Sequence, residues 1–103
     1  MGRLPRPRPA RLGEKLLRIR EALGLSQNGM LRRLGLADVV DRSAISDYEN
    51  DVREPPLPAL LEYARAANVF IDALVDDGVD LPEELPARTK SEGVGRRKAR
   101  RKT

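Results

Sequence analysis

Residues 26–50 read SQNGMLRRLGLADVVDRSAISDYEN, and this stretch decides the fold because it reads as two short helices separated by a turn. The Ser26 hydroxyl is placed to accept from the free amides of a helix start, and the helix it caps continues through Gln27, Met30, Leu31 and Leu34 to Gly35. Gly29 weakens that helix by about 1 kcal/mol relative to alanine. Asp41 is the expected cap of the second helix, which carries Arg42 to Glu49 and stops at Asn50-Asp51. Ile45 and Tyr48, three apart, share a face directed to a core, which leaves Arg42, Ser43, Ser46 and Asp47 on the remaining surface. The connection from Leu36 to Val40 has two readings: a turn, or an extra helical turn that buries Leu36, Val39 and Val40.

Towards the N-terminus, Leu12, Leu16, Ile19 and Leu23 recur at offsets of 4, 3 and 4 and predict a helix from about Ala10 to Leu23. Arg11, Lys15, Arg18 and Glu21 take much of its other face, and Gly24 stops it by accepting the left-handed conformation. Towards the C-terminus, Glu54-Pro55-Pro56 breaks the chain before a fourth helix from about Pro58 to Ala67, with Leu57, Leu60, Leu61, Ala64 and Ala67 available for burial and Asn68 as its stop. A fifth helix, Ile71 to Val75, buries Ile71, Leu74 and Val75 beside Val69 and Phe70 and ends at Asp76-Asp77-Gly78. The proline-bounded LPEELP, residues 81–86, offers Leu81 and Leu85 to the domain or to a partner, and the first is the preferred reading. The expectation is an all-α domain of five helices over residues 10–87, flanked by a basic arm at 1–9 and a disordered basic tail at 88–103.

A chain of 103 residues is one domain by length, and 40% hydrophobic residues with 3% aromatic predict a small aliphatic core. Cysteine and histidine are both absent, which removes disulfides, thiolate or imidazole metal sites and the usual acid–base residue near neutral pH. No metal, cofactor or catalytic role is expected, and the paired acids Glu83-Glu84 read as solvated loop charges. No run approaches the roughly 20 apolar residues of a membrane helix, and the first residues lack the apolar stretch of a signal peptide, so a soluble cytoplasmic protein is expected.

The charge is unevenly divided. Residues 1–11 carry +4 and residues 90–103 carry +6, which leaves −6 on residues 12–89 of a chain whose net charge is +4. The alternating Arg and Pro of MGRLPRPRP favour an extended arm. That arm reads either as a solvated leader or as a strand of arginines, Arg3, Arg6 and Arg8, laid along phosphates or in a minor groove. Arg96, Arg97, Lys98, Arg100, Arg101 and Lys102 give the C-terminal tail the same capacity.

Three segments together resemble the Cro and phage-repressor type of helix-turn-helix domain, the XRE family: RLGEKLLRIREALGLSQ at 11–27, AISDYEND at 44–51 and REPPLPALLEYARAANVFIDALV at 53–75. The likeness spans roughly residues 10–77 and rests on the order of Gly24, Ser26-Gln27, Ile45-Ser46, Tyr48-Glu49 and a proline-introduced fourth helix. It implies a compact lambda-repressor-like bundle in which the third helix enters the major groove of duplex DNA and the second lies across the backbone. By position, Gln27, with Ser26 beside it, resembles the glutamine that grips phosphate and braces the recognition helix. Arg42, Ser43 and Asp47 match base-reading positions with Ser46 at their margin, and Arg53 matches a position that meets phosphate. Arg42 can donate two bonds to guanine O6 and N7, worth about 1–3 kcal/mol of discrimination, and Asp47 can accept from cytosine N4 or simply repel phosphate. The plainer readings take Arg42 as a solvated charge, Ser43 and Ser46 as polar surface, and Gln27 as an ordinary helix residue. Tyr48 reads as core and Glu49 as the partner of a nearby arginine.

Three departures from the family pattern bear on the geometry. Ser26 to Ile45 spans 19 positions, about four more than usual; Leu31 stands where the family has alanine; and Asp51 stands where it has glycine. The implied function is a sequence-specific transcriptional regulator acting as a homodimer on paired half-sites of duplex DNA. Because residues 26–50 hold Arg32, Arg33 and Arg42 against Asp38, Asp41, Asp47 and Glu49, this unit is suited to choosing a sequence while the basic ends hold the duplex. The alternative is an antitoxin-like or adaptor module whose protein partner docks on the acidic domain or at LPEELP.

Overall fold

The computed structural model describes residues 8–90, and in it the stripe of Leu12, Leu16 and Ile19 becomes the buried face of α1 (Leu12–Ala22). Four further helices follow: α2 (Gln27–Arg33), α3 (Ala44–Glu49), α4 (Leu57–Ala67) and α5 (Asp72–Val75). The described residues contain no β-strand, so the fold is the expected all-α, five-helix bundle. Leu16, Ile19, Met30, Ile45, Tyr63 and Leu74 have essentially no exposed surface, and every helix contributes to this one core. Leu31 is buried with them.

Four helices end in the same way. After α1, Gly24 (φ 71°) donates its N–H to Glu21 O and Leu25 donates to Arg20 O, the paired bonds of a Schellman motif. Gly35 (φ 74°) closes α2 likewise, with Leu36 N–H donated to Leu31 O. At α3 and α4 the left-handed residue is Asp51 (φ 60°) and Asn68 (φ 56°), two of the few side-chain types that tolerate it. Val52 then donates to Asp47 O and Val69 to Ala64 O.

The start of α1 is satisfied from a distance. Its first residues supply no side-chain cap, and instead the Asp77 carboxylate accepts the backbone N–H groups of Ala10 at 2.8 Å and Arg11 at 3.0 Å. Those two bonds hold the Asp77 carboxyl below the usual carboxylate range. At the same end α1 passes so close to the end of α3 that a Cβ on Gly13 would lie 2.7 Å from both Glu49 O and Asp51 Oδ1.

Several sequence expectations are corrected. Lys15 is buried, not solvated: residues 76–87 cross that flank of α1, and Lys15 Nζ donates to Val79 O at 2.7 Å and Asp76 O at 3.1 Å. Burial, with a smaller contribution from Arg11, pushes the pKa of its ammonium down. Arg18 donates to Pro82 O and Glu83 O of the same strap, in which Val79, Leu81 and Ala87 are buried and Leu85 packs against the core. Leu57 and Leu61 point outward with 73% and 41% exposure, because α4 turns Ala59, Leu60, Tyr63, Ala64 and Ala67 inward, and Val75 is 38% exposed at the end of α5, which turns Ala73 and Leu74 inward. Between α2 and α3, Val39 and Val40 both donate to Leu36 O, forming one turn in which Leu36 and Val40 meet the core while Val39 is exposed. α3 begins at Ala44, so Arg42 and Ser43 lie in the turn that leads into the helix.

Candidate nucleic-acid interface

α2 begins as its sequence dictates: Ser26 Oγ accepts the Gly29 N–H at 2.9 Å, which fixes Gln27 as the first helical residue. Gln27 Nε2 in turn donates to Glu49 Oε1 at 3.2 Å. Glu49 is the last residue of α3, and its side chain is only 4% exposed. Arg20 of α1 approaches the same carboxylate with Nε at 2.6 Å from Oε2 and Nη2 at 3.1 Å from Oε1, while its Nη1 donates to Leu25 O. Two parallel charge-assisted bonds and the Gln27 amide thus tie α1, α2 and α3 at one carboxylate. The pair raises the Arg20 pKa against the opposing effect of burial. Tyr63 packs into the core with its hydroxyl lacking a hydrogen-bond partner among the described residues. Burial, reinforced by the neighbouring Glu49, pushes that phenol well above its ordinary value.

Beside the clamp lies a shallow groove of about 570 Å³ lined by Arg20, Ser26, Gln27, Asn28, Arg42 and Ser43. Four of the residues expected to meet DNA, Ser26, Gln27, Arg42 and Ser43, are therefore brought to one concavity between the start of α2 and the turn before α3. Arg42 is exposed. Asn28 and Arg20 were not among the sequence candidates. Asn28 had a signal in its place beside Gln27 in the first turn of α2, whereas Arg20 is 29 residues from its partner Glu49 and carried none.

The remaining α3 candidates do not line that groove. Arg53 Nε donates to Asp47 Oδ2 at 3.1 Å, and Arg53 Nη2 donates to Asp41 Oδ1 at 2.9 Å. The same Asp41 oxygen accepts the Ser43 hydroxyl at 3.0 Å, so Asp41 engages side chains rather than capping α3 with its carboxylate. The Arg53 guanidinium and then the Ser43 hydroxyl hold the Asp41 carboxyl below its ordinary range. The guanidinium carbon lies 5.9 Å from the centre of the Tyr48 ring. Ser46 is half-buried and its Oγ accepts from Asn50 Nδ2 at 3.3 Å.

Of the arm, Arg8 is described, and its Nη1 donates to Asp51 O at 3.3 Å, at the end of α3. Arg3, Arg6, Arg96, Arg97, Lys98, Arg100, Arg101 and Lys102 lie outside the described residues. Among the described residues no cluster of three or more metal-ligating side chains occurs, and no helix is long and apolar enough to cross a membrane.

Comparison with known proteins matches a family model described as helix-turn-helix to residues 16–74, more than half of the chain. No curated protein and no solved structure gave a match. The match runs from the middle of α1 to α5 and so contains the clamp, the groove and both helices that form them. The chain belongs to the Cro/C1-type helix-turn-helix family, the XRE family, whose members are DNA-binding regulators.

Proposed function

We propose that this protein is a sequence-specific transcriptional regulator that reads duplex DNA with the groove between α2 and α3 and acts as a homodimer on paired half-sites. The observation that carries the reading is the convergence of Ser26, Gln27, Arg42 and Ser43 on one groove braced by Arg20 and Glu49. Arg42 is the principal base reader, its planar fork matched to guanine O6 and N7. Ser43, Ser46 and Asp47 complete the reading surface, and Ser26, Gln27 and Arg53 position the phosphate backbone. The folded unit over residues 10–87 is acidic, so the arm and the tail supply most of the counterion release, each phosphate neutralised adding about 0.9 to the salt slope. Leu57 and Leu61 on α4, Phe70 just before α5 and Val75 at its end are large apolar side chains left exposed, which supports burial of apolar surface by a second copy. No catalytic step belongs to this reading.

The same exposed apolar side chains favour one other reading, an antitoxin-like or adaptor module on the same fold. Enrichment of genomic fragments by the full chain separates the two. The regulator predicts a recovered motif with two related halves and two chains per site by sedimentation. Recovery of fragments without a common motif refutes it and favours the adaptor.

A further inference from the structure

Arg53 stands just beyond α3, where the proposed reading has it meet a phosphate, yet it is held by two carboxylates. Asp47 reaches it from α3 itself, and Asp41 reaches it from the turn before α3. All three side chains keep solvent access, with 42% exposure for Arg53, 65% for Asp41 and 30% for Asp47. Pairs this exposed exchange partners readily, since solvent screens each to a small net value. The cluster therefore holds the guanidinium without locking it.

We infer that Asp41 is a specificity-determining residue: it competes with DNA phosphate for Arg53 and keeps that cation from contributing to binding of arbitrary sequence. The inference rests on the proposed reading of DNA by α2 and α3. Non-specific binding is driven by phosphate neutralisation, so a cation occupied by carboxylates lowers it directly. In a complex aligned by base contacts in the groove, a phosphate is held beside Arg53 long enough to replace Asp41. In a complex lacking those contacts it is not. Ser43 shares the same Asp41 oxygen, so release of Arg53 is also coupled to the orientation of a groove-lining hydroxyl. Asp38, in the same connection and exposed, makes no ion pair with Arg53 and serves as an internal control for charge alone.

The test is a double-mutant cycle on the full chain, using a labelled duplex of random sequence titrated at several salt concentrations. Asp41→Asn keeps the shape and the acceptor oxygen but removes the charge. It is expected to tighten random-duplex binding about threefold at low salt and to steepen the salt slope by about 0.9, the value for one further phosphate. Asp38→Asn is expected to leave the slope unchanged. In an Arg53→Ala background the effect of Asp41→Asn is expected to vanish, and circular dichroism checks that each variant retains its helices. An Asp41→Asn effect that persists undiminished without Arg53, or that matches Asp38→Asn, overturns the inference while leaving DNA binding intact. Failure of the unaltered chain to bind any duplex overturns both readings.

Discussion

Glu49 is the residue on which the helix-turn-helix geometry depends most heavily, and its removal has a calculable cost. Its side chain is 4% exposed, its partner Arg20 is 16% exposed, and the two are joined by bonds of 2.6 and 3.1 Å. Glu49→Ala leaves a largely buried guanidinium without its counter-charge, and breaking such a pair costs about 3–5 kcal/mol. Residual solvent at Arg20 moves the expectation to the lower end, about 3 kcal/mol, a large part of the roughly 5–15 kcal/mol that holds a domain together. For a domain of this size that corresponds to a fall in Tm of about 12–24 °C. With no tryptophan in the chain, urea unfolding followed by far-ultraviolet circular dichroism is the suitable assay. Replacing both partners, as Arg20→Met with Glu49→Leu, removes the stranded charge and is expected to recover stability to within about 1 kcal/mol of the unaltered chain. A loss below about 1 kcal/mol for Glu49→Ala, or a double variant no better than the single one, would show that no buried charge is stranded.

Three further outcomes are expected. Gly13→Ala, which in an open helix gains about 1 kcal/mol, should instead destabilise the fold by about 1–3 kcal/mol and lower the urea midpoint accordingly, because the nearest atoms at 2.7 Å include the Glu49 backbone carbonyl; a raised midpoint contradicts the close approach of α1 to α3. The Asp77 carboxyl titrates lower in the folded chain than its ordinary 3.8, so its stabilising contribution is complete above that pH and is lost as pH falls through the folded value. Asp77→Asn should therefore flatten the loss of stability as the pH falls below 3.8, and an unchanged acid limb would exclude Asp77 as the cap of α1. Tyr63→Phe removes a buried hydroxyl that lacks a partner among the described residues, and stability at neutral pH should be unchanged or higher by up to about 1 kcal/mol. Because the Tyr63 phenol titrates higher when folded, it favours ionisation of the unfolded chain above pH 10.0, and the phenylalanine variant should lose less stability there.

What could be read from the sequence was local. The stripe of Leu12, Leu16 and Ile19, the Ser26 cap, and the left-handed ending at Gly24 each depend on neighbours a few residues away. What could not be read depends on chain that returns from afar. Lys15 lies three positions from Leu12 and four from Ile19, beside the buried stripe, and its charge alone pointed to solvent; the crossing of residues 76–87 supplies the carbonyls that make it a buried donor. Asp41 has the composition of a helix cap, but Arg53, 12 residues on, takes its carboxylate, and α3 starts later than its sequence suggests. Leu57 and Leu61 are apolar on a helix whose inward face is already filled by Leu60, Tyr63 and alanines. The candidate site divides along the same line. Ser26, Gln27, Arg42 and Ser43 share the groove, whereas Asp47 and Arg53 pair outside it around Asp41, which meets the groove through the Ser43 hydroxyl, an arrangement set by side-chain pairing that spacing alone does not encode.

If the groove between α2 and α3 reads base sequence, Arg42 is the residue whose loss should show it. Selection of bound sequences from a pool of random duplexes, run with the full chain and with Arg42→Ala, measures that reading. One enriched motif is expected for the full chain and, for Arg42→Ala, the same motif with preference relaxed at a single guanine-bearing position in each half, a loss of about 1–3 kcal/mol of discrimination there. An unaltered motif for Arg42→Ala, or no enriched motif for the full chain, would contradict base reading by the groove.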